Sequence, residues 1–296
     1  MPSVFIVGAQ KGGTTDLFAS LRTSRNITHT NIKEFHFFDA VILGYKPVSL
    51  EMYRSECPVK ANENDESQMQ VVIDATPAYL FIPFVPEMIA VATPPATAKI
   101  IIALREPVGR AWSGYFESLY HLLKAAENVT AQVANKGFSK EIQAQIAIFR
   151  KCVDESMLME KSSLSSHKHH KHMHVYNDCF IPSLVKRKAA FLQHAEIPRS
   201  LYFYHVLNYY NVFERSQILI IRSEDYFANR STQITRVCDF LHITKPLLTP
   251  VKAVHARDYP ELDVNTKQSL RSFFHPYNLL LYQFLTEKSV PFLPWD

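Results

Sequence analysis

The chain has 296 residues, of which 47% are hydrophobic and 20% are charged, and its formal net charge is +4. This composition is typical of a globular protein, and the length suits one large α/β domain or two small domains. The excess of 32 basic over 28 acidic residues suits an anionic ligand and is too small to indicate a nucleic-acid-binding protein.

Apolar segments of the chain are too short or too interrupted to cross a membrane. The first, Val4–Val7, has neither the length of a secretory signal nor that of a span. The second, Tyr79–Ala92, is broken by Pro83 and Pro86. We therefore expect no membrane segment in this chain.

The predicted elements begin with a short apolar strand, Ser3–Val7, which ends at Gly8. Leu17, Phe18 and Leu21 recur at helical spacing after it, so a helix is predicted to follow a glycine-containing loop. Three later runs rich in Val or Ile predict buried strands: Gln70–Ile73, Lys99–Leu104 and Gln217–Ile221. Helical patterns are found at Pro107–Leu123, Lys140–Met159, Ser200–Phe213 and Ser231–Leu241, and polar loops at Ser55–Gln70 and Glu160–His174.

Strands that alternate with helices predict an α/β fold with a P-loop-like central parallel sheet and helices on both faces. No clear linker interrupts the chain, so we predict a single domain over 1–296, with its motifs within 3–261 and a C-terminal helix and tail at 262–296. Ligands on such sheets bind beyond the carboxyl ends of the strands. The segments at those predicted ends are Gly8–Thr15, Asp74–Pro77, Arg105–Pro107 and Arg222–Asp225, and we expect them to share one site.

The segment Gly8-Ala-Gln-Lys-Gly-Gly-Thr-Thr15 has the position of a phosphate-binding loop. Glycines let successive N–H groups point at one anion, and the N-terminus of the following helix adds positive potential. The spacing nearly fits the triphosphatase loop G-x-x-x-x-G-K-[ST], but Thr14 stands in the lysine position and the loop's lysine is Lys11. A kinase or triphosphatase would therefore lack its usual phosphate ligand, and a glycine turn that binds nothing is the other alternative.

With its lysine displaced in this way, the loop resembles the 5′-phosphosulfate loop of sulfotransferases that use 3′-phosphoadenosine 5′-phosphosulfate (PAPS). The chain is most similar to the heparan sulfate and carbohydrate branch of that family. Four further segments carry the resemblance in the same order: Lys33-Glu-Phe-His-Phe-Phe-Asp39, Asp74-Ala-Thr-Pro-Ala-Tyr79, Leu104-Arg-Glu-Pro-Val-Gly-Arg-Ala-Trp-Ser113 and His255-Ala-Arg-Asp-Tyr-Pro-Glu261. They resemble, respectively, the E-x-H-F-F-D segment, the K-T-P-A-Y stretch, the 3′-phosphate motif and a late loop that closes over the donor.

The resemblance implies an enzyme that moves a sulfuryl group by in-line displacement from PAPS to an acceptor hydroxyl. PAPS would be the co-substrate, its desulfated form PAP the product, and no metal would be required. An oligosaccharide is the implied acceptor, and nucleic acid is not expected. The alternatives are sulfation of a small alcohol or phenol, a P-loop kinase-like enzyme, and an inactive nucleotide- or glycan-binding module.

The resemblance also implies roles for individual residues. Lys11 would stabilise charge on the leaving phosphate, and Glu34 would act as the general base. His36, on the same side of an extended segment, would orient Glu34 or share the acceptor. His255 is the fourth predicted catalytic residue. The predicted donor-binding residues are Lys11, Gly12, Gly13, Thr14, Thr15, Arg105, Ser113, Arg257 and Tyr259.

More ordinary structural roles for these residues are also open. Arg105 and Ser113, eight residues apart, could bind one phosphate, but Arg105 could also pair with Glu106 or Glu117. Glu34 could equally pair with Lys33 or Arg22 on a surface loop.

Two positions depart from the family pattern. Ala75 replaces the lysine that precedes T-P-A-Y in heparan sulfate 3-O-sulfotransferases, and Thr15 replaces an arginine that some members carry. A positive charge near the sulfuryl group or acceptor would then be missing or come from elsewhere, and His255 and Arg257 are the predicted substitutes. Both departures argue against heparan sulfate as the acceptor without affecting the donor chemistry.

The remaining polar features are less specific. Four cysteines without C-x-x-C spacing (Cys57, Cys152, Cys179 and Cys238) could form two disulfides or stay as buried thiols. The run His167–His174 has lysines among its histidines and no carboxylate or cysteine within it, so it predicts a basic loop rather than a metal site. Sequons at Asn26, Asn128 and Asn229, with the resemblance, favour a glycoprotein of the Golgi lumen or secretory pathway, while the lack of a signal or anchor leaves the cytoplasm open.

Overall fold

The computed structural model describes residues 1–30, 33–43, 46–47, 49–57, 71–122, 130–152, 195–247 and 260–295. The chain forms two compact units. The first contains Met1–Arg105 and Tyr209–Ala256, and the second contains Glu106–Asn208 and Arg257–Asp296. That the whole chain acts as one domain stays a prediction.

The first unit is built on a five-stranded parallel sheet with the order β2-β3-β1-β4-β5. Its strands are β1 Val4–Gly8, β2 Ile27–His29, β3 Val71–Asp74, β4 Lys99–Leu104 and β5 Ile218–Arg222. The four strands predicted from the sequence are present within one residue at each end. The added strand, β2, pairs with β3 at the edge of the sheet.

Eleven α-helices lie within the described ranges. They are α1 Thr14–Leu21, α2 Ala40–Leu43, α3 Leu50–Ser55, α4 Val85–Ala92, α5 Pro107–Leu122, α6 Ala131–Cys152, α7 Glu196–Ser200, α8 Tyr202–Val212, α9 Ser223–Ala228, α10 Arg230–Leu241 and α11 Val264–Glu287. Two 3₁₀ turns lie at Pro77–Phe81 and Arg215–Gln217. The helix predicted at Lys140–Met159 starts earlier, at Ala131, and residues 153–159 lie outside the described part, as does the predicted loop Glu160–His174.

Both faces of the sheet are covered within the first unit. On one face, strand isoleucines such as Ile6 and Ile101 pack with Leu17 and Leu21 of α1 and with Val237 of α10. On the other face, the ring of Phe5 meets that of Phe38 (centroids 6.1 Å apart), which in turn meets Tyr79 of the first 3₁₀ turn at 5.4 Å. Continuous β-branched strands are buried on both sides, as expected for a parallel sheet, and the predicted α/β fold is confirmed.

In the second unit, α5 is anchored at its start and along its buried face. The carboxylate of Glu106 accepts hydrogen bonds from the amides of Val108 (3.0 Å) and Gly109 (2.6 Å) and so caps the helix. The side chain of Arg110 is fully buried and donates to the Ser200 hydroxyl and the Glu196 carbonyl, each at 2.6 Å. Arg110 is therefore a structural member of the L-R-E-P-V-G-R motif.

The second unit ends with helix α11 and a tail. The tail returns along α11, because the amide of Trp295 donates to the hydroxyl of Tyr282 at 2.8 Å and its ring packs against Tyr202. None of the helices in the described ranges combines the length and apolarity that a bilayer crossing needs. Cys57 and Cys238 are buried free thiols, which excludes the two-disulfide alternative.

Candidate functional site

Five strands of one parallel sheet end at the same edge, and their following segments carry most of the predicted site residues. In sheet order, these segments are Lys33–Asp39 after β2, Asp74–Pro77 after β3, Gly8–Thr15 after β1, Arg105 after β4 and Arg222–Asp225 after β5. The topology therefore brings the lysine-containing loop and the Glu34 segment to the same edge of the sheet, on β1 and β2, with β3 between them.

The loop Gly8–Thr15, here the donor loop, turns so tightly that its glycines are required. A Cβ on Gly12 would lie 2.5 Å from the carbonyl oxygen of Ala103 on β4. Gly13 has φ of +87°, in the left-handed region that a side chain disfavours, and a Cβ there would lie 2.9 Å from the ring of Phe227. Close backbone approach at Gly12 and the left-handed turn at Gly13 thus disfavour any residue larger than glycine at these positions.

Lys11 lies at the turn of the donor loop and is half-buried. Its own backbone is left-handed, with φ of 67°. The carbonyl of Lys11 accepts a hydrogen bond from the Arg105 guanidinium at 3.4 Å, and the neighbouring carbonyl of Gly12 accepts one from the buried hydroxyl of Ser223 at 2.7 Å. Side chains that follow β4 and β5 therefore hold two carbonyl groups of the loop in place by hydrogen bonds.

Helix α1 begins at Thr14, in the last part of the donor loop, and no side chain caps its N-terminus at Gly13. The first N–H groups of a helix lack partners inside the helix, so those of Thr14 and Thr15 remain for an anion held by the loop. Asp16, in the same first turn, would repel an anion. Its carboxylate instead accepts from the Tyr226 hydroxyl (2.6 Å) and pairs with Arg230 at 2.9 Å, which offsets that charge.

The segment Lys33–Asp39 carries the predicted base. The backbone at Glu34 and His36 is left-handed, with φ of 61° and 58°, so the extended geometry predicted for these residues is wrong. Lys33 forms an ion pair with Glu34, whose side chain is 41% exposed. The Nε2 atom of His36 lies 4.0 Å from the Glu34 carboxylate. Both the predicted His36–Glu34 approach and the alternative Lys33–Glu34 pair are therefore present.

His36 is oriented by Asp39, a fully buried carboxylate. The Nδ1 atom of His36 donates to Asp39 Oδ2 at 2.9 Å, which leaves Nε2 facing Glu34. Burial lowers the pKa of His36, but the hydrogen bond to Asp39 and the charges of Asp39, Glu34 and Asp74 outweigh it, so the pKa is raised above its ordinary value.

A second buried carboxylate, Asp74, lies at the end of β3, in a segment predicted to belong to the site, but no role was predicted for it. Its oxygens accept hydrogen bonds from the hydroxyls of Tyr53 (2.5 Å), Thr76 (2.6 Å) and Tyr79 (3.1 Å). Burial raises the pKa of Asp74, while these three hydrogen bonds act in the opposite direction. Its place at a strand end within D-A-T-P-A-Y was a usable sequence signal, whereas nothing in the sequence pointed to Tyr53.

A family model described as the sulfotransferase domain matches residues 1–273 of the chain. The chain belongs to the sulfotransferase domain family. The parallel sheet and the glycine-containing loop after its first strand are therefore those of a sulfotransferase domain, and the predicted family is confirmed.

The chain is similar to named sulfotransferases and matches different shares of their length. Human carbohydrate sulfotransferase 15 is 23% identical over 98% of this chain and 54% of its own length. Human heparan sulfate glucosamine 3-O-sulfotransferase 5 is 24% identical over 96% of this chain and 72% of its own. The chain thus spans about half the length of the first of these. A crystal structure of a sulfotransferase from Alicyclobacillus acidocaldarius shares the fold, with a TM-score of 0.63 and 20% identity over 99% of this chain and 97% of that one.

The other predicted site residues lie either in the second unit or outside the described residues. Ser113 is a buried residue of α5 in the second unit, and its predicted phosphate-binding role with Arg105 stays a prediction. His255, Arg257 and Tyr259 lie outside the described residues, as does the run His167–His174.

The end of the late loop is described and is fixed within the second unit. The carbonyl of Pro260 accepts from the Trp112 indole at 2.9 Å, and that of Glu261 accepts from Asn135 at 3.0 Å. Ala75 packs in the core of the first unit. A lysine at this position would meet the apolar residues of that core. Among the residues whose placement is given, no group of three or more His, Cys, Asp or Glu could hold a metal.

Proposed function

We propose that this sulfotransferase domain transfers a sulfuryl group from PAPS to a hydroxyl of a carbohydrate acceptor. The observation that carries the proposal is the donor loop, a glycine turn at the end of β1 with Lys11 inside it and the N-terminus of α1 behind it. This arrangement suits a phosphosulfate better than a triphosphate, because Thr14 stands in the lysine position of a triphosphatase loop.

The donor loop supplies the groups that a departing phosphate needs. PAPS, when bound, supplies a sulfuryl group attached to a phosphate leaving group. The amides of Thr14 and Thr15 and their hydroxyls would bind that phosphate, and the Lys11 ammonium would donate to the bridging oxygen. That oxygen keeps the electron pair of the broken sulfur–oxygen bond, so Lys11 acts where negative charge develops.

Glu34 suits the role of general base in this reaction. It would accept the proton of the acceptor hydroxyl as the acceptor oxygen bonds to sulfur. Its partial exposure gives an acceptor access, and Lys33 and His36 lie beside its two oxygens. Asp39 holds His36 so that one ring nitrogen faces Glu34, which keeps a polar partner next to the base.

A carbohydrate acceptor is supported by the names of the relatives, two groups of which are called carbohydrate and heparan sulfate sulfotransferases. The absence of a lysine at Ala75 argues for an acceptor other than the heparan sulfate glucosamine of the 3-O-sulfotransferases. Sulfation of a small alcohol or phenol is the competing activity, and it uses the same donor loop.

The donor is tested by thermal shift with PAP, ADP and ATP, since a ligand that binds the folded state raises the melting temperature. We expect PAP to stabilise the protein selectively and Lys11→Ala to reduce that shift. Lys267→Ala, an exposed lysine on α11, is the matched control and should leave it unchanged. Equal or greater stabilisation by ATP with Mg²⁺ would refute the PAPS assignment and favour a kinase-like enzyme.

The acceptor is tested with sulfur-labelled PAPS and a panel of chondroitin, dermatan and heparan oligosaccharides beside simple alcohols and phenols. We expect label in an oligosaccharide, and a loss of transfer of about 10²- to 10⁴-fold in Glu34→Gln with PAP binding retained. Glu287→Gln on α11 controls for loss of an exposed carboxylate elsewhere. Label only in phenols would replace the carbohydrate proposal, and full activity of Glu34→Gln would remove Glu34 as the base.

A further inference from the structure

The Glu34–His36 stretch holds a backbone conformation that its own residues do not favour. Two side-chain-bearing residues separated by one position are both left-handed there. The left-handed region is unfavourable for an L-residue with a side chain, and such conformations persist only where surrounding contacts determine them. Something outside the stretch must therefore hold it.

The hydroxyl of Tyr79 makes the contacts that could do so. It accepts hydrogen bonds from the backbone amides of Phe37 (3.0 Å) and Phe38 (3.4 Å), immediately after the left-handed residues. The same hydroxyl donates to Asp74 Oδ2 at 3.1 Å. Since a hydroxyl has one proton, the donation to Asp74 orients its lone pairs toward the two amides.

Asp74 in turn is held by the end of the sheet. It is fully buried and is the last residue of β3. That strand pairs with β1, which leads into the donor loop. Tyr53 donates to the same Asp74 oxygen, Oδ2, and Thr76 donates to Oδ1, while the Tyr53 ring stacks on Phe37 at a centroid distance of 4.2 Å. Hydrogen bonds thus connect Asp74, on the interior strand β3, through the Tyr79 hydroxyl to the amides of Phe37 and Phe38, which follow His36.

We propose that Asp74 and Tyr79 are positioning residues that fix the Glu34–His36 stretch relative to the donor loop. The inference rests on the proposed function, because it assigns these two residues to the presentation of the proposed base. Neither side chain reaches solvent, so neither touches an acceptor. They act through the backbone of Phe37 and Phe38.

Two tyrosine variants separate positioning from general stability. Tyr79→Phe removes the link between Asp74 and the two amides and keeps the ring that packs on Phe38. Tyr53→Phe removes a hydrogen bond to the same Asp74 oxygen and leaves the amides bonded to Tyr79. If the cluster only stabilises the fold, both variants should behave alike.

Amide hydrogen exchange measures positioning without any turnover. We expect exchange at Phe37 and Phe38 to rise by about 10-fold in Tyr79→Phe, the factor for one lost hydrogen bond, and to change little in Tyr53→Phe. Equal rates in the two variants overturn the proposal. Rapid exchange of the Phe37 amide in the wild-type protein also overturns it, even if Tyr79→Phe does not fold.

Kinetics then connect positioning to the proposed base. With whichever acceptor takes up label, kcat should fall by about 10- to 100-fold in Tyr79→Phe, while KM for PAPS stays within about 2-fold. Unchanged kcat, or an equal fall in Tyr53→Phe, contradicts the proposal. If no acceptor is sulfated by the wild-type protein, the proposed function fails, and the exchange data still decide whether Tyr79 holds the stretch.

Discussion

The donor loop and the Lys33–Asp39 segment lie at the same edge of one sheet, yet different forces hold them. In the donor loop, close backbone packing limits residue size, with Gly12 against the Ala103 carbonyl, while Arg105 and Ser223 donate hydrogen bonds to two loop carbonyls. The Lys33–Asp39 segment has no glycine, and side-chain hydrogen bonds to Tyr79 and Asp39 hold it in a conformation that glycine would favour.

This difference indicates how each region can change. A loop held by close backbone packing tolerates no added atom, whatever its polarity. A segment held by hydroxyls and carboxylates tolerates changes of size better than the loss of one polar atom, because a buried group is then left without its partner. The donor side is thus sterically determined and the Glu34 side is determined by hydrogen bonds.

The largest effect is expected for Gly12→Ala. Its new methyl group would collide with a backbone carbonyl, and overpacking of this kind costs about 1–3 kcal/mol or more. We expect a lower melting temperature and loss of the PAP-induced shift. Gly137→Ala is the control, because its Cβ would be equally close, at 2.5 Å, to the movable hydroxyl of Tyr115. Equal costs in both variants would show that backbone packing does not distinguish the donor loop.

Lys11 allows charge and backbone strain to be separated. Lys11→Ala and Lys11→Gly both remove the ammonium, and we expect kcat to fall by about 10²- to 10³-fold in each. Only Lys11→Gly relieves the left-handed backbone, so it should be more stable than Lys11→Ala by ~1 kcal/mol. Chemical unfolding measures the difference. A Gly variant no more stable than the Ala variant would mean that the turn at Lys11 is not strained.

Asp39→Asn tests the Lys33–Asp39 segment. The amide is nearly isosteric with the carboxylate, so we expect kcat to fall by about 10-fold and the fold to be kept. The pKa of His36 should fall because its main charged partner is gone. Titration of the His36 ring by NMR checks this directly. An unchanged titration would show that Asp39 does not hold the imidazole.

The smallest effect concerns pH and stability. Because the folded-state pKa of His36 is raised, its contribution to stability is full below its unfolded pKa of about 6.5 and is lost as pH rises through the folded pKa. The stability of the wild-type protein relative to His36→Gln should therefore decrease between pH 6 and pH 8. Unfolding free energies at the two pH values measure this, and an increase would reverse the assigned sign.

Regular features of the fold could be predicted because burial leaves a strong pattern. Strand β4 was predicted with its observed bounds, since its apolar residues are consecutive and all buried. Strand β2 was missed because it has three residues, two of them polar, at the edge of the sheet. Helix α4 was missed because Pro86 and an almost wholly apolar sequence hide its helical period.

The candidate site was predictable where one local segment contains it. Spacing within the donor loop identified Lys11, and the family pattern identified Glu34 and His36. The role of Asp74 was missed because its partner Tyr53 and the Phe37 and Phe38 amides bonded to Tyr79 come from other segments, and their meeting depends on the folded sheet. The left-handed turns at Glu34 and His36 carry no sequence signal, since that conformation ordinarily calls for glycine or asparagine.

The bond from Ser223 to the Gly12 carbonyl has a consequence for the order of folding. The two residues are 211 positions apart, and Tyr226 and Arg230 reach Asp16 across similar separations. On a ribosome that adds about 5–20 residues per second, the donor loop is made roughly 10–40 s before these partners. The donor loop is thus synthesised early and completed late, and a nascent chain that stops before β5 has a donor loop without the Ser223 hydrogen bond.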